Sequence, residues 1–185
     1  MDNREIEVKF LEIDKENLIK SLISLGAQDF GEELITEQIF HDREGRWYQE
    51  GKFARIRTTG KGIFFTYKHV ESRTATGTVE IEFGITEPEK MKVFLESMGL
   101  VMDRAQEKRR HKFRLGEVIV DIDTWPKIPT YVELEGPSEE AIKNAAVQLG
   151  FDYAQGVFGT SNVVIEEVYK IDLRKVPFFT FEKFK

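Results

Sequence analysis

Polar and apolar positions alternate with a period of two along much of this chain. In EIEVKF (5–10), Glu5, Glu7 and Lys9 fall on one face and Ile6, Val8 and Phe10 on the other, the spacing of a β-strand. The same alternation recurs in FARIR (53–57), VEIEF (79–83), EKRRHKFR (107–114), VIVDID (118–123) and YVELEG (131–136). Strands are therefore predicted over 2–11, 33–42, 52–59, 62–70, 77–86, 101–115, 117–123 and 130–136. A hairpin is expected around Gly60-Lys61-Gly62.

A 3.6-residue period replaces the two-residue one in a few places. Leu18, Leu22 and Leu25 predict a helix over 15–25 that stops at Gly26, and Met91, Phe94, Leu95 and Met98 predict one over 87–98 that stops at Gly99. Pro137-Ser138 opens a third helix running to Leu149, and a Thr/Ser cap opens a fourth over 160–170. TWPKIP (124–129) reads as a loop, because two prolines in four residues do not fit a central strand. The order acidic strand, helix, basic strand occurs at 5–57 and again at 80–114, as two related halves or as a common meander would give. No linker or composition break divides the chain. One domain is expected over 1–170, followed by an aromatic tail over 171–185. The four phenylalanines of VPFFTFEKFK (176–185) need burial. Docking on the outside of the same domain is the expectation, with a homodimer contact or a partial plug as alternatives.

Composition removes several function classes. With 27 basic and 33 acidic residues among 185, the net charge is −6, unlike the basic surface of a general nucleic-acid binder. The absence of cysteine excludes disulfides, zinc-thiolate sites and a Cys nucleophile. The start of the chain is too charged for a signal peptide, and no apolar run approaches the ~20 residues that span a bilayer. A cytoplasmic protein with neither membrane nor nucleic acid as a partner is expected. His41, His69 and His111 lack metal-ligand spacing, and neither a phosphate-binding glycine loop nor a nucleophile motif is present.

The polar faces themselves are unusual. Solvated strands mix Ser, Thr and Gln with their charges, whereas here the alternating positions are almost purely charged and sorted by strand into acids and bases. Strand 33–42 is the exception. The set fits a sheet closed into a barrel of about eight strands, with its charged side chains inward and its apolar ones outward under helices. Buried charges are costly unless paired or metal-bound. An interior carrying both signs suits a polyphosphate together with a hard divalent cation such as Mg²⁺ or Mn²⁺.

The order of these motifs resembles the CYTH domain, the family of triphosphate tunnel metalloenzymes: ExExK at 5–9, RIR at 55–57, strand-ending Lys68, ExE at 80–82, KRR…R at 108–114, DxD at 121–123 and ExE at 133–135. The resemblance implies an α+β fold built on an eight-stranded antiparallel tunnel. It implies metal ligation by Glu5, Glu7, Asp121, Glu133 and Glu135, and a triphosphate grip from Lys9, Arg55, Arg57, Lys68, Arg110 and Arg114. Glu80, Glu82, Lys108, Lys112 and Asp123 are further tunnel-lining candidates, and Lys9 is the candidate catalytic residue. The implied reaction is class IV adenylyl cyclase-like conversion of ATP to cyclic AMP and pyrophosphate. The alternative is hydrolysis of inorganic triphosphate, thiamine triphosphate or a nucleoside triphosphate, with a non-catalytic polyphosphate or nucleotide binder as the third reading.

Overall fold

The computed structural model describes residues 4–185. In chain order the elements are β1 (Arg4–Glu5), β2 (Glu7–Phe10), α1 (Lys15–Ser24), β3 (Gln28–Asp42), α2 (Arg46–Gln49), β4 (Lys52–Thr59), β5 (Gly62–Val70), β6 (Thr78–Ile85), α3 (Pro88–Ser97), β7 (Leu100–Leu115), β8 (Val118–Thr124), β9 (Tyr131–Glu135), α4 (Glu139–Gln148) and β10 (Phe178–Phe179). One sheet of ten strands runs β1-β6-β5-β4-β3-β7-β8-β9-β2, with β10 added in parallel to β7. The other pairings are antiparallel.

This corrects the expected eight-stranded closed barrel in two respects: there are ten strands, and hydrogen bonds do not close the sheet. The strand expected over 2–11, whose first residues lie outside the described ones, is divided. β1 pairs with β6, while β2 pairs with β9. Among the described residues no strand pairing joins β1 to β2, which follow each other through Ile6, and the Glu7 N–H donates to the Ala75 carbonyl at 3.1 Å. Alternation reports which faces a strand has, not which neighbours it finds, so this division was not visible locally. Two further boundaries move. β3 begins at Gln28 rather than 33, and the expected helix over 160–170 is a π-helical turn at Val163–Val168.

The apolar faces carry the packing. Leu18 and Leu22 of α1 and Ile142, Ala145 and Ala146 of α4 pack on Val8, Phe10, Phe113, Val120, Ile122, Val132 and Leu134. Each large apolar side chain buried in this way contributes about 1.5–3 kcal/mol, which fixes the opposite, charged face of β2, β7, β8 and β9 inward. Both helices start on a side-chain cap: Asp14 accepts from the Asn17 N–H and Ser138 from the Ala141 N–H. Over β3 and β4, α3 contributes Leu95 to a smaller cluster with Phe40, Ala54, Ile56 and Leu100. Trp47 of α2 adds to this cluster and meets Tyr67 of β5 edge-on. Ile81 and Phe83, on the apolar face of β6, are 44% and 47% exposed, so the outward face of that strand is not packed under a helix as the alternation predicted. The tail joins a third cluster, in which Phe179, Leu173 and Val176 pack with Trp125, Tyr131, Val164 and Ile165.

Candidate functional site

The inward faces of the strands enclose a charged cavity of about 210 Å³, lined among others by Glu5, Glu7, Lys9, Arg55, Arg57, Lys68, Glu80, Glu82, Lys108, Arg110, Lys112, Asp121, Glu133 and Glu135. Lys9 is fully buried at its heart. Its Nζ lies 3.1 Å from Glu7 Oε1 and 3.0 Å from Glu133 Oε2, and donates to the Gly159 carbonyl at 2.7 Å. Burial disfavours the ammonium, but Glu133 and Glu7 outweigh it and hold Lys9 charged, above the ordinary lysine range. Strand β2 puts Lys9 opposite Glu133 and Glu7 opposite Glu135, so pairing across the ladder builds the cluster.

The neighbouring strands complete this wall. Arg110 donates from Nε to Asp123 Oδ1, from Nη2 to Asp123 Oδ2 and from Nη1 to Asp121 Oδ2, each at 2.6 Å, and reaches Glu133 at 3.3 Å. Lys108 bonds Asp123 at 2.7 Å, and Lys112 lies 3.5 Å from Asp121. Burial works against the charge of Glu133, yet Lys9 and Arg110 hold it well below the usual carboxylate range. Glu135 goes the other way: burial, then Glu133, Glu5 and Glu7, push its carboxyl up to about 7.

On the facing wall, Arg55 Nη1 bonds Glu37 Oε1 at 3.0 Å, and Arg57 Nη2 bonds Glu82 Oε2 at 2.5 Å. Lys68 Nζ bridges Glu5 and Glu80 at 2.7 and 2.6 Å. The Nε groups of Arg55 and Arg57 are buried without a hydrogen-bond partner among the described residues.

The structure thus gathers most of the predicted residues and leaves two apart. Arg114 is exposed, donates to Gln28 at 2.6 Å and does not line the cavity. It stands at the end of β7, past the point where the inward face still meets the interior. Asp123 lies behind the lining, fully buried and committed to Lys108 and Arg110. Sequence reasoning missed Glu37, which is 3% exposed and which burial would neutralise, had Arg55 and Lys108 not held it at about 2. The usable signal was a lone acid between Ile35 and Ile39 on a strand that pairs Glu37 with Arg57. Arg104 and Gln106, which extend the inward face of β7 toward its start, were also missed.

A hard divalent cation fits the chemistry of the donors, though not yet a tight cage. Among the described residues no three Asp, Glu or His side chains converge at ligating distance; the carboxylates are drawn instead to Lys9, Lys68 and Arg110. Yet Asp121 Oδ1 is buried without a hydrogen-bond partner among the described residues. The displaced titration of Glu135 also marks negative charge in excess around Glu5, Glu7 and Glu133. Oxygen donors carrying surplus negative charge are what such a cation takes.

The fold has several solved counterparts. A protein from Pyrococcus horikoshii OT3 matches with a TM-score of 0.69 at 22% identity, over 82% of this chain and 93% of that one. A candidate adenylate cyclase from Vibrio parahaemolyticus matches with 0.76 at 15% identity, over 89% and 98%. A candidate adenylyl cyclase from Hippeastrum, described as having a dominant triphosphatase activity, matches with 0.65 at 16% identity, over 93% and 98%. A search of curated proteins finds no match. The sequence model of the CYTH domain matches residues 3–163. With the motif order, the inward charges and this match over most of its length, the chain belongs to the CYTH domain family.

Proposed function

We propose that this protein is a divalent-cation-dependent enzyme acting on a triphosphate. The observation that carries the reading is the cavity lining itself: buried carboxylates and buried cations share one small space. A lattice of buried ion pairs gains little stability over an apolar filling, so its use lies in what it binds. Glu5, Glu7, Asp121, Glu133 and Glu135 are the proposed ligands of Mg²⁺ or Mn²⁺, which when bound would neutralise phosphate oxygens and polarise the reacting phosphorus. Arg55 and Arg57 keep unpartnered Nε donors, and with Lys9 and Lys68 they are the proposed triphosphate grip. Arg110 already bonds Asp121, Asp123 and Glu133 through all three of its nitrogens, and its proposed role is to hold those carboxylates in place. Lys9, kept protonated between Glu7 and Glu133, supplies positive charge where the transferred phosphoryl group gains negative charge.

Of the reactions such a site can run, cyclisation comes first: the ribose 3′-oxygen of ATP attacks the α-phosphorus and pyrophosphate leaves. The likeness in fold to the Vibrio candidate adenylate cyclase supports this reading. Hydrolysis at the terminal phosphorus is the second reading, favoured by the triphosphatase activity ascribed to the Hippeastrum protein. The deciding assay supplies ATP, thiamine triphosphate and inorganic triphosphate, each with Mg²⁺ and with Mn²⁺, and follows cyclic AMP, pyrophosphate and phosphate separately. Cyclic AMP from ATP selects the first reading and phosphate alone the second. Failure to bind or convert any of the three overturns both.

A further inference from the structure

Arg55, one of the two arginines of the proposed grip, is held from behind. A guanidinium is planar and rigid, so fixing two of its nitrogens sets the direction of the third. Arg55 Nη1 donates to Glu37 Oε1 at 3.0 Å and Nη2 to the Thr66 hydroxyl at 3.3 Å, while Nε has no partner among the described residues. Nη2 also lies 3.7 Å from Glu82 and 4.0 Å from Glu80. The contact with Glu37 is the shortest of the four. Glu37 is not among the residues that line the charged cavity. A carboxylate behind the lining touches neither phosphate nor a cation held in front of it. Any part it has in binding runs through Arg55.

The second oxygen of Glu37 is pinned as well. Gln106 Nε2 donates to Glu37 Oε2 at 2.5 Å, and Gln106 Oε1 accepts from Arg104 Nε at 2.7 Å. Gln106 and Arg104 are both buried, so this chain of hydrogen bonds ends in packed interior and not in water. The topology explains the placement. β3 lies between β4 and β7, and its register sets Glu37 opposite Arg57 on one side and Gln106 on the other. Against its burial, Arg55 and Lys108 keep Glu37 ionised. A buried anion beside two cations can serve as a counter-ion alone. Here the contacts are directional as well: each carboxylate oxygen receives its own hydrogen bond, and Thr66 holds the far side of the guanidinium.

We infer that Glu37 is a positioning residue of the triphosphate site: it fixes the plane of the Arg55 guanidinium, so that the free Nε–H is aimed before the phosphates arrive. This rests on the triphosphate reading above. Gln106 and Arg104 act in turn on Glu37, and a contact of this kind is sensitive to small displacements, because the grip depends on direction as well as charge.

Charge and placement can be separated by substitution. Glu37→Asp keeps the charge and withdraws the carboxylate by one methylene, whereas Glu37→Gln removes the charge and keeps an oxygen within reach of Arg55. Dissociation constants for ATP, thiamine triphosphate and inorganic triphosphate, with Mg²⁺ present, are to be measured in the wild type, both variants, Arg55→Ala and the double variant Glu37→Asp/Arg55→Ala. Melting temperatures are taken on the same preparations. For each triphosphate that the wild type binds, Glu37→Asp is expected to raise the constant about tenfold and Glu37→Gln less than about threefold. Once Arg55 is gone, Glu37→Asp should add less than about twofold, because the two residues act as one unit. A counter-ion gives the opposite order: Glu37→Asp is silent, and Glu37→Gln tightens anion binding because a negative charge has left. That order, or shifts that multiply in the double variant, would overturn the inference and leave the triphosphate reading standing. Should Glu37→Asp not fold, Gln106→Leu takes its place, since it frees Glu37 Oε2 without removing the contact to Arg55. Its expected rise of about threefold should vanish in the Arg55→Ala background, and a rise that persists there overturns the inference. A wild type that binds none of the three triphosphates removes that reading and the inference with it.

Discussion

Two walls of the same cavity carry the same alternation and yet differ in tightness. On the wall formed by β2, β9, β8 and β7, Lys9, Arg110, Asp121 and Asp123 are between 0% and 7% exposed. On the wall formed by β4, β5 and β6, Arg55 and Lys68 are 8% and 9% exposed but the side chains of Arg57 and Glu82 reach 16% and 27%, a level met on the first wall at Lys112, near the end of β7. What lies behind each wall accounts for the difference. Helices α1 and α4 seal the first with an apolar core, while Ile81 and Phe83 back the second in partial contact with water. A sealed wall holds its charges in fixed pairs. The open one keeps guanidinium groups with donors to spare. The sealed wall is thus built to position groups, and the open wall to receive a ligand.

The largest effect is expected from breaking the sealed wall at Lys9. Lys9→Ala leaves Glu7, Glu133 and the Gly159 carbonyl without their buried partner, a loss of about 3–5 kcal/mol in stability by analogy with other broken buried pairs. It should also lower the single-turnover rate per folded molecule at least ~10-fold, about 1.4 kcal/mol. Melting and rate are to be measured on one preparation. A lower melting temperature with an unchanged rate would make Lys9 a counter-ion only.

On the open wall the balance should invert. Arg57→Ala removes a part-exposed pair with Glu82 and should change stability by about 1 kcal/mol or less, while raising KM for the triphosphate about tenfold. Glu133→Gln and Glu135→Gln should instead weaken the dependence on Mg²⁺ or Mn²⁺ and leave triphosphate binding largely intact. If titrations of cation and substrate move together in all three variants, the two walls do not divide the work as described.

A smaller effect should follow pH. Glu135 holds its proton up to about 7 in the folded protein, above the ~4.3 of an unfolded glutamate. Between those values the folded state binds more protons than the unfolded one, so stability falls as pH rises through the window. Melting curves of cation-free protein should show this decline, and Glu135→Gln should flatten it. A slope unchanged in the variant would assign the titration to another group. The smallest effect belongs to Arg114→Ala, outside the cavity: KM within about twofold and stability within about 0.5 kcal/mol. A larger rise in KM would return Arg114 to the grip.

What could be read from the sequence was local. Alternation exposed the charged faces of β2, β4, β6, β7, β8 and β9, since a strand's period survives whatever it pairs with. The helices announced themselves through the spacing of Leu18, Leu22 and Leu25, through Pro137-Ser138 and through Gly26 and Gly99. What escaped depended on distant partners. Glu37 looks like a stray acid until β3 lies beside β4 and Arg55 turns toward it. A cavity of about 380 Å³ beside the charged one is assembled from His41 near the end of β3, Tyr48 in α2 and the stretch around Asn162 that read as plain helix. No period links residues so far apart. The split of the first strand is of the same kind.

That split at Ile6 bears on how the chain reaches its native state. Residues 4–10 are synthesised before every other part of the sheet, yet β1 must wait for Thr78 and Val79, and β2 for the stretch from Val132 to Glu135. Contacts between residues so remote in sequence form slowly, because a long loop must close before they are rewarded. The segment bearing Glu5, Glu7 and Lys9 is therefore made well before the strands it pairs with. Until it docks, the facing strands hold Asp121, Glu133 and Arg110 without their central ammonium, so the charged cavity is completed only when residues 4–10 have paired.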